Sequence, residues 1–299
     1  ALNIVIKLQY VNGNPVAIAN LAWSRTSTYS INPAFAIEYK LLGKDESETQ
    51  LNYRGDVYMY AYTQSDNSYY PHQLTSDSWD VSGGVDRTSS YESKNLSFTT
   101  RHQLVFRPYF SNENHALQVL ARFEVGSSES STQGLSSSGI SGGITDPTVT
   151  GYLRSSYTST GRGHTMSGTG SLHYSYGSKY SFDFTLRADG STRFGKDKKW
   201  GFFPGISGRW NISDEAFFEP IHDAVTMLAV RAGWGINGNP PGSEGLIFNK
   251  YAANGIYNGS QAISPENLRL TQLRWEKSTS WNIGFNLGLF NIADLDLNI

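Results

Sequence analysis

The sequence predicts an all-β protein on three observations. Apolar residues recur at every second position along almost the whole chain, aromatic residues make up 13% of it, and glycine contributes 30 of its 299 residues. Alternation is the period of a strand whose two faces meet different surroundings, whereas a helix repeats every three to four residues. Tyrosine alone supplies 18 residues, although the hydrophobic share is only 38%. Disordered chains are poor in aromatics. Aromatic and branched residues joined by many glycine turns suit strands.

Twelve strands follow in order. The first two are expected at 2–10 and 16–25. Over 31–42, Phe35, Ile37, Tyr39 and Leu41 alternate with Glu38 and Lys40, and over 49–62, Leu51, Tyr53, Val57 and Met59 alternate with Asn52, Arg54 and Asp56. Strands at 96–110, 114–126 and 165–177 come next. Over 179–193, Tyr180, Phe182, Phe184 and Leu186 stand opposite Ser181, Asp183, Thr185 and Arg187. Over 201–213, Phe202, Pro204, Ile206, Trp210 and Ile212 face away from Phe203, Ser207, Arg209 and Asn211. Strands at 225–237, 279–290 and 293–299 close the series, with Trp281, Ile283, Phe285, Leu287 and Leu289 set against Asn282, Gly284, Asn286 and Gly288.

Many of these strands reach ten residues, longer than the usual five or six of globular sheets and close to the 9–11 of a tilted strand crossing a bilayer. Two architectures share the alternation, a transmembrane barrel and a soluble β-sandwich. A sandwich usually turns Lys and Glu to water. Here the second face is Gly, Ser, Asn and Thr with scattered Arg, the composition of a barrel's polar interior. Trp and Tyr near strand ends would form interfacial girdles. A Gly- and Tyr-rich sandwich remains the alternative on pattern alone. Tight turns at 176–179 and 43–46 contrast with long connections expected at about 63–94, 127–163 and 238–272. The Ser- and Gly-rich stretch 126–143 reads as a mobile loop rather than a domain boundary, because strands of the same type flank it. Residues 1–299 are therefore expected to form one unit, which in the barrel reading is a barrel segment with long loops on one side.

Several function classes drop out. The net charge is −2, without the basic stripe that nucleic acid requires. There is no cysteine for a disulfide or thiolate metal site. No apolar run is long enough for a transmembrane helix, and the opening "ALNIVIKLQY" lacks the basic start of a signal peptide, so the mature start is expected to be missing, internal or processed. The stretch "GSTRFGKD" at 190–197 approaches a phosphate loop, but Asp197 stands where a hydroxyl should hold Mg²⁺ and no helix follows. The histidines show no H-x-x-x-H pairing. Asp294, Asp296 and Asn298 begin like a calcium loop that Ile299 breaks. No G-x-S-x-G elbow is present, and Asp214, Glu215 and Glu219 read as a solvated turn. No catalytic residue, metal or cofactor is expected, and the chain is not expected to be an enzyme.

Read more widely, the same stretch is specific. The segment "YSFDFTLRADGSTRFGKDKKWGFFPGISGRWNISDEAFF" carries Arg187, Asp189, Gly190, Ser191, Phe194 and Gly195, then Trp200, Gly201, Phe203, Pro204, Ser207, Trp210, Ile212, Ser213, Glu215 and Phe217. This pattern resembles the signature of SusC-type TonB-dependent outer-membrane transporters. Two more blocks agree in order, "LAVRAGWGINGNP" and "LRWEKSTSWNIGFNLGLF", the latter with Trp275 and Glu276. Residues 14–42 are similar to an upstream pair of barrel strands. Thr192, Gly205 and Ala229 are mild departures. From the residues themselves, Asp189-Gly190 favours a bend where the strand leaves its ladder, and Trp200, Phe202, Phe203 and Trp210 would anchor the next strand at an interface, so the motif reads as scaffold.

The resemblance implies a 22-stranded antiparallel barrel of which this chain forms an internal part, with the plug and TonB-contacting segment outside these residues. It implies active uptake of a large nutrient, a glycan before a peptide, across the bacterial outer membrane. The implied partners are a SusD-like surface lipoprotein, the TonB complex acting through an N-terminal region, and outer-membrane lipid, with no nucleic acid. Tyr69, Tyr70, Trp79, Tyr251 and Tyr257 on the long loops are the candidates for contact with cargo or lid. A passive channel or structural barrel, and a soluble β-rich binding module, are the competing readings.

Overall fold

Backbone polar groups decide how far a strand can run, because each N–H and C=O needs a partner wherever water does not supply one. The computed structural model of the chain describes residues 15–45, 47–71, 74, 86–139, 152–242 and 245–299, with Tyr152, Ala253, Asn254 and Gln261 described in backbone only. The expected strand at 2–10 and Trp79 lie outside the described residues. A helix, α1 (Pro15–Leu21), precedes β1 (Trp23–Ile31), β2 (Ala34–Leu42), β3 (Gln50–Tyr70), β4 (Arg87–Arg107), β5 (His115–Ser138) and β6 (Tyr152–Tyr176). Then come β7 (Tyr180–Ser191), β8 (Trp200–Asn211), β9 (Val225–Asn239), β10 (Tyr251–Tyr257), β11 (Ser260–Pro265), β12 (Glu276–Leu289) and β13 (Ala293–Asn298).

One sheet holds eleven of these strands in the order β1-β3-β4-β5-β6-β7-β8-β9-β12-β13, with β2 also paired to β3. Most strands therefore pair with their sequence neighbours, the meander of a barrel wall. Strands β10 and β11 form a separate hairpin between β9 and β12, which pair directly from Glu276↔Asn239 to Leu287↔Leu228. The contacts divide the chain into two compact units. One contains α1, β1, Met59–Phe98 and Ser128–Arg162; the other contains β2, the shorter-numbered part of β3, Thr99–Ser127 and everything from Gly163 onward.

Within the second unit the two faces separate as the alternation requires. Directly opposed residues share a face, and the register joins Phe184↔Ile206, Trp210↔Val230, Trp234↔Trp281 and Phe285↔Leu297. This face is apolar yet exposed: Trp281 is 66% accessible and Phe184 42%. The opposite face carries Asp183↔Ser207↔Gly233↔Asn282. In a sandwich the apolar face would be covered by a second sheet. Instead, among the described residues, buried apolar side chains are few, Phe194 and Phe218 among them, and the apolar face is left for lipid. The fold is an antiparallel β-barrel wall, not closed within the described residues.

Four expectations change. Residues 15–21 are helical, not the start of a strand at 16–25: Pro15 has its φ preset for a first helical turn, and Ala22 N–H closes the last one on Ile18 O at 2.9 Å. The expected strand 31–42 is broken at Asn32-Pro33, and the strand pair expected at 14–42 is two segments that both lie on β3, Trp23↔Tyr69 to Ile31↔Ala61 and Ala34↔Tyr58 to Leu42↔Leu51. Proline has no N–H to donate to the ladder, though its carbonyl still accepts from Met59 N–H at 3.1 Å. Third, β3 to β6 run 21, 21, 24 and 25 residues, so strand occupies much of the loops expected at 63–94 and 127–163. The Ser/Gly run is strand as far as Ser138, because pairing with neighbours outweighs composition. Finally, the 238–272 connection contains the β10–β11 hairpin, turned at Asn258 and Gly259 with φ of 48° and 77°, as an Asn-Gly pair favours.

The faces make a direct prediction. In the whole protein, Phe184→Arg puts a charge on the lipid face, which costs about 2–4 kcal/mol near the bilayer midplane, while Thr185→Arg faces the interior. Heat-modified gel migration of membranes isolated from cells carrying the whole protein should show loss of folded barrel for the first and little loss for the second. Equal recovery would refute the assignment of faces.

Candidate functional site

The signature turn after β7 is built around glycines that let other groups approach. The ladder continues past the expected bend, with Gly190 still paired to Trp200, and the chain turns beyond Ser191. Ser191 N–H reaches Lys199 O at 3.1 Å, and Lys198 N–H reaches Gly195 O at 2.9 Å. At Gly195 a second segment crosses: its N–H donates to Leu273 O at 3.2 Å, and a Cβ there would stand 2.1 Å from Thr271 O. Phe194 beside it is fully buried, its ring centroid 4.5 Å from that of Trp275. Trp275 also meets Phe203 edge-on at 5.3 Å and donates Nε1–H to Lys199 O at 3.1 Å. Phe203 lies in a slot between two bare backbones, since a Cβ on Gly201 or Gly238 would meet its ring at 2.4 or 2.1 Å.

The structure thus brings Phe194, Gly195, Gly201, Phe203 and Trp275 into one knot joining the β7–β8 turn to the segment entering β12. Phe203 turns inward into the knot and is only 6% exposed, not outward at an interface as expected. Its neighbours on alternate positions, Trp200, Phe202 and Trp210, are exposed on the other face, and Pro204 sits opposite Leu186 on that face. Glu276 stands apart, exposed at the start of β12.

Arg187 and Asp189 occupy the polar face, where Arg187 Nε donates to both carboxylate oxygens at 2.9 and 2.7 Å. Their cavity, about 440 Å³, is lined also by Glu124, Ser167, Asn237 and Trp275. Across the same face Arg101 pairs with Glu124 at 2.8 Å and packs over the Tyr58 ring, and Arg54 pairs with Asp56 at 3.0 Å and Glu38 at 2.6 Å. Sequence reasoning named Glu38, Arg54, Asp56, Arg187 and Asp189 but missed Arg101 and Glu124 and the pairing that joins them into a row. Its signal was present as charges on alternate positions of neighbouring strands.

Glu215 is the other hub. Its carboxylate accepts from the Tyr180 hydroxyl, from Lys179 Nζ at 2.9 Å and from Trp210 Nε1–H at 3.2 Å, so it clamps a 3₁₀ turn (Ala216–Ile221) to the ends of β7 and β8. Lys179 is a further residue the sequence reading passed over. The Tyr180 hydroxyl, then Lys179, holds the Glu215 carboxyl below its ordinary range, and Glu215 holds the Lys179 ammonium above its own.

The tyrosines expected on loops divide. Tyr69 lies on β3, buried, its hydroxyl donating to Asp86 Oδ1 at 3.1 Å. Tyr70 bonds Leu74 O at 3.4 Å with Arg87 over its ring. Tyr251 and Tyr257 extend from the hairpin, 61% and 80% exposed.

A wall of long antiparallel strands, apolar outside and polar within, narrows the comparison with known proteins. The profile of the family described as "TonB dependent receptor-like, beta-barrel" matches residues 5–299. The chain belongs to that family. It is 35% identical over 129 residues to TonB-dependent receptor SusC of Bacteroides thetaiotaomicron, a match covering 41% of this chain and 13% of that protein. It is 34% identical over 119 residues to TonB-dependent receptor P39 of Formosa agariphila, covering 40% and 11%. Among solved structures, the RagAB peptide importer in its "open-open" state superposes with a TM-score of 0.75 at 17% identity, over 94% of this chain and 30% of that one. That likeness is one of fold, and the chain spans under a third of the RagAB chain it matches. The knot and the paired charges thus lie in the β-barrel wall of a TonB-dependent receptor-like chain.

Two predictions follow from the geometry. Gly195→Val drives a side chain into Thr271 O, so whole protein carrying it should lose heat-resistant folded barrel, whereas Lys196→Ala in the same turn should keep it. For Glu215, the depressed carboxyl pKa means its contribution is complete above the ordinary carboxylate pKa and is lost as pH falls through the lowered value. The raised Lys179 pKa limits the same pair on the alkaline side, above the ordinary lysine value. Melting temperature in detergent should therefore fall with acid in the native protein more steeply than in Glu215→Gln, and parallel curves would discount the clamp.

Proposed function

We propose that this wall is part of an outer-membrane importer energised by TonB, which takes up a large nutrient, a glycan before a peptide. The observation that carries the reading is the two-faced wall, apolar toward lipid and lined within by paired charges, in a chain of the TonB-dependent receptor family. Similarity to SusC favours a SusC-type assembly in the bacterial outer membrane, with a SusD-like lipoprotein at the surface and TonB engaged through an N-terminal region. The shared fold with a peptide importer keeps peptide as the second cargo. In this reading the motif residues, Arg187 to Glu215 with Trp275, are scaffold. The exposed Tyr251 and Tyr257 are the cargo or lid contacts, while Tyr69 and Tyr70 are engaged within the wall. No bond of the cargo is made or broken.

Uptake of labelled oligosaccharides and peptides by cells carrying or lacking the whole protein tests this. Active import should stop when an uncoupler collapses the inner-membrane proton gradient. Uptake that persists would identify a passive channel, and recovery of the chain without detergent would return it to the soluble β-rich class.

A further inference from the structure

On the polar face of the second unit Arg54, Arg101, Arg187 and Arg231 each meet a carboxylate, whereas among the described residues Arg209 meets only the Asn211 amide and three cations on β2, β4 and β5 stand without a carboxylate. On β2, Lys40 is paired in register with Asn52 of β3, one step along from Glu38↔Arg54. Glu38 is engaged by Arg54, which also holds Asp56. On β4, Arg107 donates through Nε to the Gln118 amide oxygen at 2.8 Å, and Arg122 of β5 donates through Nε and Nη2 to Gln103 Oε1 at 3.2 and 2.9 Å. Among the described residues none of Lys40, Arg107 and Arg122 forms an ion pair.

Two of them, Lys40 and Arg107, share a space. A recess of about 450 Å³ is lined by Glu38, Lys40, Asn52, Arg54, Gln103 and Arg107. Asn52 Oδ1 at its wall is buried without a hydrogen-bond partner. With its oxygen buried, the Asn52 amide can turn toward the recess only its Nδ2 branch, a donor as oriented. Amide oxygens satisfy a guanidinium's hydrogen bonds but leave its charge, and neighbouring like charges on a partly enclosed wall repel. Arg107 spends Nε on Gln118, which leaves its Nη groups for the two-oxygen geometry of a carboxylate.

We propose that this recess is a carboxylate-binding site on the inner wall, with Lys40 and Arg107 as its charged ligands and Asn52 as its amide donor. The carboxylate comes either from an Asp or Glu of a polypeptide lodged against the wall or from a free organic acid. The proposal rests on the reading of this face as the interior of an importer barrel, and the recess tells the two sources apart only by experiment.

The test treats the whole protein in outer membranes with a water-soluble carbodiimide, which joins Lys40 to a carboxylate only in direct contact, followed by peptide mass spectrometry. Separately, acetylation of Lys40 is timed with and without succinate, against Lys44 in the neighbouring turn. A Lys40 amide to any Asp or Glu other than Glu38, absent from Arg107→Gln, supports the site with a polypeptide carboxylate. No such amide, but slowing of Lys40 acetylation by succinate that Arg107→Gln abolishes, supports it with a free acid. A Lys40–Glu38 amide, or Lys40 reacting like Lys44 with no adduct and no protection, overturns it. Ile37→Cys reports on the underlying reading alone, since labelling there by a charged maleimide would sink the barrel interior without touching the chemistry of the recess.

Discussion

Everything in this chain depends on the need to pair backbone groups where no water reaches them. In lipid an unpaired N–H or C=O costs several kcal/mol, so only helices and closed sheets span it. Once the backbone is committed to a ladder, side chains alternate in and out, and the composition divides. Phe182, Phe184, Trp234 and Trp281 go to one side, and Asp183, Ser207 and Asn282 to the other. The usual buried apolar core shrinks to a few local clusters. Apolar burial is supplied by lipid on one face, while the other is free to hold charge.

That freedom is used in an orderly way. Arg54, Arg101 and Arg187 each meet a carboxylate on their own or a neighbouring strand. Exposed ion pairs in water contribute about 0–1 kcal/mol each, so the row is better understood as shaping the wall's electrostatics than as stabilising it. The knot of Phe194, Phe203 and Trp275 is the converse case, an apolar cluster on the polar side that exists only because Gly195, Gly201 and Gly238 leave room for it.

Much of this was legible beforehand, for a physical reason. Alternation is imposed position by position, so the faces of β7, β8, β9 and β12 could be read directly. Strand ends could not, because whether Ser128 or Ser138 is strand depends on a neighbour far away in sequence. Pro15–Leu21 was misread because seven residues give too few turns to distinguish a helix from a half-apolar strand. The motif residues were visible as a set, but not their contacts. Nothing local says that Phe203 turns toward Trp275 while Trp200 and Trp210 turn away, or that Lys179 reaches Glu215. The Asn258-Gly259 turn did carry a local hairpin signal, obscured by the expectation of an irregular loop.

The crossing at Gly195 also has a mechanical meaning. The segment that carries the β10–β11 hairpin is not a slack tether, since Leu273 and Trp275 fasten its return to the β7–β8 turn, and Leu246 and Leu270 close its root at 3.0 Å. A pull on the hairpin tip is therefore passed through these bonds to the β7–β8 turn rather than absorbed by the loop. Any force applied at Tyr257 would therefore bear on the wall at Gly195, where the returning segment crosses the β7–β8 turn.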